Sequence, residues 1–364
     1  MKNVVYGHDS LTVYSPDSNA KKQIEFIREI SFGETEEVFL GRITVVTADH
    51  LDRVFMADID QNTVHVYNRD GSYLTSLGRQ GQGPGEFNAL AYYMSMRIHS
   101  NQLVVTDQIF AMSHRMNIYS LEDLSFSHTV ILMAERDFEE PDILTPGHQV
   151  YPRNDGTFLV MYRRGIEESI RYFVQDSNGR ISGPIFEHKD LTYLTHTSPT
   201  GVLIRNSFPF LGKSLLAVSD DDHLYYARTE KFQVHVHDPD GKYLRTFEHP
   251  FSNITLDRSE LIDSYSGNNQ QMIREAQDLP ETWPALEEMF FDDENRLWIS
   301  TIVADDEVYE WWVLKDTGEV IAKFEWPRDE PIEAVNNGYI YTRETEEETG
   351  FMEIIRYRIE MEEI

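Results

Sequence analysis

Four arginines are the residues best suited to chemistry in this chain: Arg163, Arg164, Arg228 and Arg343. A guanidinium is planar, permanently charged and forked, and it suits carboxylate or phosphate groups. The surrounding chain is strongly acidic, with 63 Asp and Glu against 32 Lys and Arg and a net charge of −31. Arginines gathered in such a background point to an anionic ligand group, unless each is neutralised by a neighbouring acid. Asp58, Asp107 and Tyr162 stand at positions equivalent to Arg228 and Arg343 in a repeating pattern, so they join the candidate ligand-binding set. For Asp58 and Asp107, capping a turn is the competing role.

Other chemistries are poorer fits. Asp58-Ile59-Asp60-Gln61-Asn62 begins like a calcium loop, but Thr63 replaces the required glycine and no Glu stands at the twelfth position. The 13 histidines include no helical His-Glu-x-x-His motif. His148, Glu36 and Glu287 all precede or open predicted innermost strands, and they form a weak candidate set for one divalent metal, such as calcium or zinc, in a central channel. Otherwise no cofactor is expected. With no cysteine there is no disulfide, thiol catalysis or Cys-bound zinc, and no nucleophile elbow marks a Ser-His-Asp triad.

The elements that must position these residues are repeats. Six polar turns, among them Asp49–Asp52, Asp220–Asp222, Asp292–Asn295 and Asn336–Gly338, each precede a similar strand. These strands begin at Val54, Leu103, Phe158, Leu224, Leu297 and Tyr339. Third strands such as Val64–Tyr67 and Val234–His237 follow. Asp/Gly turns such as Asn68–Gly71 and Asp238–Gly241 then lead to a fourth strand. Four antiparallel strands repeated six times predict an all-β six-bladed propeller in a single domain, 1–364. The sixth repeat is one strand short. Residues 24–32 alternate as a strand should and are expected to complete it after an N-terminal extension, 1–20, closing the ring. The lengths between repeats vary, with insertions near 133–147, 188–212 and 249–285. The last lies between blades four and five and is expected to hold a helix capped by Asp257, with Gly267-Asn268-Asn269 as a point of interruption. All three emerge on one face, where the last residues of the second strands also lie.

The connector Gly78-Arg79-Gln80-Gly81-Gln82-Gly83-Pro84-Gly85-Glu86-Phe87 resembles the Gly-rich connector of NHL-type propellers, and most closely the bacterial six-bladed β-propeller group. The resemblance is specific over one blade. It implies a binding or scaffold protein, and in related lactonases and a peptide lyase it implies a metal-assisted hydrolase or lyase with its site at the channel mouth. The favoured expectation is non-catalytic binding of a small-molecule or protein ligand on the loop-rich face. The acidic balance argues against nucleic acid, and no apolar run is long enough for a transmembrane segment. The family leans toward a periplasmic or exported protein, with a cytoplasmic location as the alternative.

Overall fold

The turns that announced the repeats fold for local reasons. Asp49 accepts the amides of Leu51 and Arg53 at 3.0 Å, and its other oxygen takes Arg53 Nε at 2.7 Å. Asp292 does the same with Glu294, Arg296 and Arg296 Nε. Asp52, Asn295 and Asn337 adopt φ of 59°, 58° and 52°, a left-handed conformation that Asn and Asp tolerate better than most residues. Each such turn joins the first two strands of a blade.

In this computed structural model the described residues are 10–15, 20–90, 94–110, 113–132, 135–136, 144–164, 169–197, 201–346 and 350–364. They form a six-bladed β-propeller of four antiparallel strands per blade. Blade one comprises Ile43–Ala48, Val54–Asp58, Thr63–Tyr67 and Tyr73–Leu77. Blade two runs from Met96–His99 to Phe126–Ile131, and blade three from Leu144–Pro152 to Arg180–Lys189. Blade four runs from Ser214–Val218 to Tyr243–Glu248, and blade five from Leu286–Phe291 to Val320–Pro327. Blade six takes Ile332–Asn336, Tyr339–Thr345 and Met352–Glu363 from the end of the chain. Its fourth strand is Lys22–Phe32, antiparallel to Met352–Glu363 from Lys22↔Glu363 to Phe32↔Ile354. The expected closing strand therefore forms, slightly longer than its alternating pattern suggested.

Apolar side chains fill the seams between blades. Phe55 and Val66 meet Leu103 and Tyr119 between blades one and two, and Trp298 and Trp311 meet Ile332 and Ile340 between blades five and six. The Gly-rich connector is part of this packing. Phe87 is fully buried in the first seam, and Gly78, at φ +68°, lies so close that a Cβ there would sit 2.3 Å from its ring.

On the turn face, hydrogen bonds stitch the blades together. The amide of Asn154 donates to Asp222 Oδ2 at 3.0 Å, that of Asp220 to Asn295 Oδ1 at 3.1 Å, and that of Asn337 to Asp293 Oδ2 at 2.9 Å. The side chains of Asn336 and Asn337 donate to the carbonyl of Asp49, joining blade six to blade one.

The helix expected after blade four is interrupted near Gly267 into two short ones, α1 (Arg258–Ser264) and α2 (Gly267–Glu275). Asp257 caps α1 as expected, accepting the amides of Ser259 and Glu260, and Gly267 begins the second helix at φ +58°. The segment after blade three forms a hairpin, Leu194–Thr197 with Leu203–Asn206. Its apolar side packs on the helices around Phe208, Phe210, Leu261, Met272 and Ile273. The two insertions thus build one cap with its own core, because neither could bury its apolar side alone. The insertion near 133–147 lies largely outside the described residues.

Candidate functional site

The first strand of each blade lines the centre, and neighbouring first strands touch, as Ser214–Val218 does Leu286–Phe291 and Ile332–Asn336 does Ile43–Ala48. Four of these strands are irregular at the same height, just past their pairing with the end of the second strand; in blade three the register shifts between Pro146 and Val150. In the other three it slips between Ile43 and Val45, between Leu286 and Met289, and between Ile332 and Ala334. In blades one, five and six the residues set out of register are Thr44, the pair Glu287 and Glu288, and Glu333. A bulge re-aims side chains that a regular ladder would point into the blade seams. Here it brings three carboxylates to the channel mouth on the insertion face.

Two of those carboxylates are paired across blades or within one. Glu287 holds Lys213 of blade four, and Glu333 holds Arg343 of its own blade. Arg343 Nη2 also reaches the carbonyl of Thr44 at 3.3 Å. Glu288 has no side-chain hydrogen bond among the described residues. Its side chain is exposed to water, although the protein around it still desolvates the carboxyl. Burial pushes its carboxyl up to about 7, Lys213 opposes the rise, and Glu287 and Glu333 add to it. Burial also raises Glu333, against the pull of Arg343.

The described sequence-derived candidates are largely committed to the protein. Arg228 donates to Glu230 at 2.7 Å, to the carbonyl of Asp190 at 2.7 Å, and to Ser214 Oγ and Thr192 Oγ1. Arg163 lies 3.1 Å from Asp190 Oδ2. Asp58 is fully buried and accepts the amides of Gly41, Asp60 and Gln61, and it stands 3.4 Å from His65 Nε2. Burial tends to raise its carboxyl, but the hydrogen bonds win and hold it below the usual range. Asp107 accepts the amides of Asn88 and Ala89 and pairs with Arg115. Tyr162 is buried in the seam between blades two and three, with its hydroxyl 3.2 Å from Gln175 Oε1. The side chains of Arg164 and His148 lie outside the described residues.

Of the candidate metal ligands, Glu36 is exposed on the loop before blade one, while Glu287 is engaged by Lys213. The described residues contain no group of three His, Asp or Glu side chains close enough to share an ion. His196 sits in the cap hairpin, 3.0 Å from Glu275 of α2. The side chain of Asn253, in Asn253-Ile254-Thr255, donates through Nδ2 to the carbonyls of Glu230 and Trp283 and anchors the cap to the blade-four rim.

The repeat order, the connector and the closed ring agree with a family model described as a 6-bladed beta-propeller, DUF5128, which matches residues 9–198. The chain belongs to this family. Two solved structures share the DUF5128 propeller's fold over nearly its whole length. One is a candidate exported protein from Bacteroides fragilis, 11% identical, covering 96% of this chain and 99% of its own, with a TM-score of 0.51. The other is a member of the duf4221 family from Bacteroides vulgatus, 10% identical, covering 94% of this chain and 100% of its own, with a TM-score of 0.53. At these identities the likeness concerns fold alone. No curated protein matches the sequence.

Glu288 and Glu333 of this DUF5128 propeller escaped the sequence reading. The only signal was the polar pair Glu287-Glu288 inside an otherwise apolar first strand, Leu286–Phe291. A bulge leaves no other trace in a single sequence.

Proposed function

We propose that this propeller binds a ligand, without catalysis, at the channel mouth on the insertion face. The observation that carries the reading is Glu288. It is an unpartnered carboxylate re-aimed by a strand bulge into the mouth, flanked by charges already paired among themselves. Of the arginines first considered for an anionic ligand, Arg163, Arg228 and Arg343 are held by acids, so an anion would have to displace Asp190, Glu230 or Glu333. A protonated amine meets no such competition at Glu288. The cap, anchored beside Arg228 by Asn253, walls the same mouth on the blade-four side.

The connector supports an NHL-type repeat, in which such a face serves binding. The reading also favours an exported location, which cell fractionation checks: a chain found wholly in the cytoplasm removes that part.

The test of binding uses three small probes of one shape, n-butylammonium, n-butanol and n-butyrate, followed by saturation-transfer NMR. The ammonium should bind best, and Glu288→Gln should weaken it at least tenfold. Preference for butyrate, or an unchanged affinity in the variant, overturns the assignment of Glu288.

A further inference from the structure

One contact has no counterpart in the repeat pattern. Residues Leu11–Val13 add a fifth, parallel strand to the outer edge of blade four, with Leu11↔Thr246, Thr12↔Phe247 and Val13↔Glu248 in register. The amide of Tyr14 donates to the Glu248 carbonyl at 2.9 Å, and that of Thr246 donates to Ser10 at 2.6 Å. Tyr14 then turns into the seam between blades four and five. It is only 6% exposed, stacks on His249 with ring centres 4.5 Å apart and 8° between planes, and donates its hydroxyl to the Thr317 carbonyl at 3.0 Å.

The walls of this socket hold one another in place. Phe232 lies 4.8 Å from Trp312 and 5.0 Å from His249, and His249 lies 5.1 Å from Trp312. His249 Nε2 is fixed 2.8 Å from the Gly318 carbonyl, and Lys323 covers Trp312. None of these contacts runs through Tyr14. A sheet edge supplies backbone hydrogen bonds, and an adjoining pocket selects one side chain. Together they form a general way of docking an extended peptide.

We infer that the outer edge of blade four and its aromatic socket form a peptide-docking site, occupied here by the chain's own Leu11-Thr12-Val13-Tyr14. The ligand class is an extended segment that pairs parallel to Tyr243–Glu248 and ends in an aromatic residue. The own segment acts as a detachable latch, and its tether returns through Lys21, whose amide donates to the Ile321 carbonyl of blade five. The site lies at the rim of the ring and is separate from the channel mouth, so it does not depend on the binding proposed there.

The experiment uses the full chain carrying Tyr14→Ala and a fluorescein-labelled peptide with the sequence of residues 9–15. Fluorescence polarisation should show the peptide binding the variant at least tenfold more tightly than the wild type, whose own latch competes. The same peptide with alanine in place of its tyrosine should lose that affinity. Hydrogen exchange should quicken at Thr246 in the variant and stay unchanged in blades one and two. Equal affinity for the two peptides, no binding to a folded variant, or unaltered exchange at Thr246 overturns the inference. A Tyr14→Ala chain that does not fold overturns it as well, because the socket would then need the ring it is said to receive.

Discussion

Protonation of His249 should cost this propeller a measurable share of its stability in mild acid. The ring is 3% exposed in the seam between blades four and five, stacked on Tyr14 and donating through Nε2 to Gly318. Burial lowers its pKa from 6.5 to about 4; the Gly318 hydrogen bond opposes the shift and Lys323 adds to it. The sign follows from proton counts. Between these values the unfolded chain binds the proton and the folded one does not, so stability rises with pH there. The contribution is fully present above about pH 6.5 and is lost as pH falls toward 4. At about 1.4 kcal/mol per pH unit, the loss is roughly 3 kcal/mol. His114, His188, His235 and His237 are also lowered by burial and steepen the profile of the whole protein. Comparison with His249→Phe isolates the one ring. At pH 7.5 the variant should be less stable by about 1 kcal/mol, from the lost hydrogen bond to Gly318. Near pH 4 it should be the more stable of the two, by about 2 kcal/mol on the same reckoning. The assay is urea unfolding followed by tryptophan fluorescence at several pH values. A gap between wild type and variant that stays constant from pH 7.5 to 4 refutes the reasoning.

Two further perturbations probe the scaffold. Gly78→Ala places a Cβ at positive φ and 2.3 Å from the Phe87 ring; combined strain and overpacking should lower stability by about 2–4 kcal/mol, and a thermal melt within about a degree of wild type would contradict it. Removing residues 1–32 strips the partner from Met352–Glu363 and exposes a long unpaired edge. Size-exclusion chromatography should show aggregate in place of monomer, and a soluble, cooperatively melting monomer would show that the ring does not need its closing strand.

Much of the fold was legible because its causes are local. Asp49 and Asp292 make the same turn from the same side-chain bonds, so the turns repeat visibly in the sequence. Alternation in Ile24–Ile30 marked the closing strand, and the missing strand of the sixth repeat said where it must go. The cap was half legible. Asp257 announced a helix start, but the contact between that insertion and the hairpin near Leu194 joins segments distant in sequence. The parallel strand Leu11–Val13 was invisible for the same reason, since three residues carry no periodicity.

The site divides along the same line. The residue types at the ends of the second strands, and the face they share, follow from strand period and turn position alone. That Asp58 and Asp107 spend their oxygens on the amides of Gly41 and Ala89 depends on which loop meets which blade, and that Arg228 and Arg343 are held by Glu230 and Glu333 depends on how side chains lie in the folded strands. Residue type and order along the chain were enough to determine a closed ring of six blades with one decorated face. Only the tertiary structure decided that, among the described residues, the Glu288 carboxylate is left without a hydrogen-bond partner, because pairing is a matter of distance in the fold, and a one-residue bulge at Glu287-Glu288 sets it out of the strand's register.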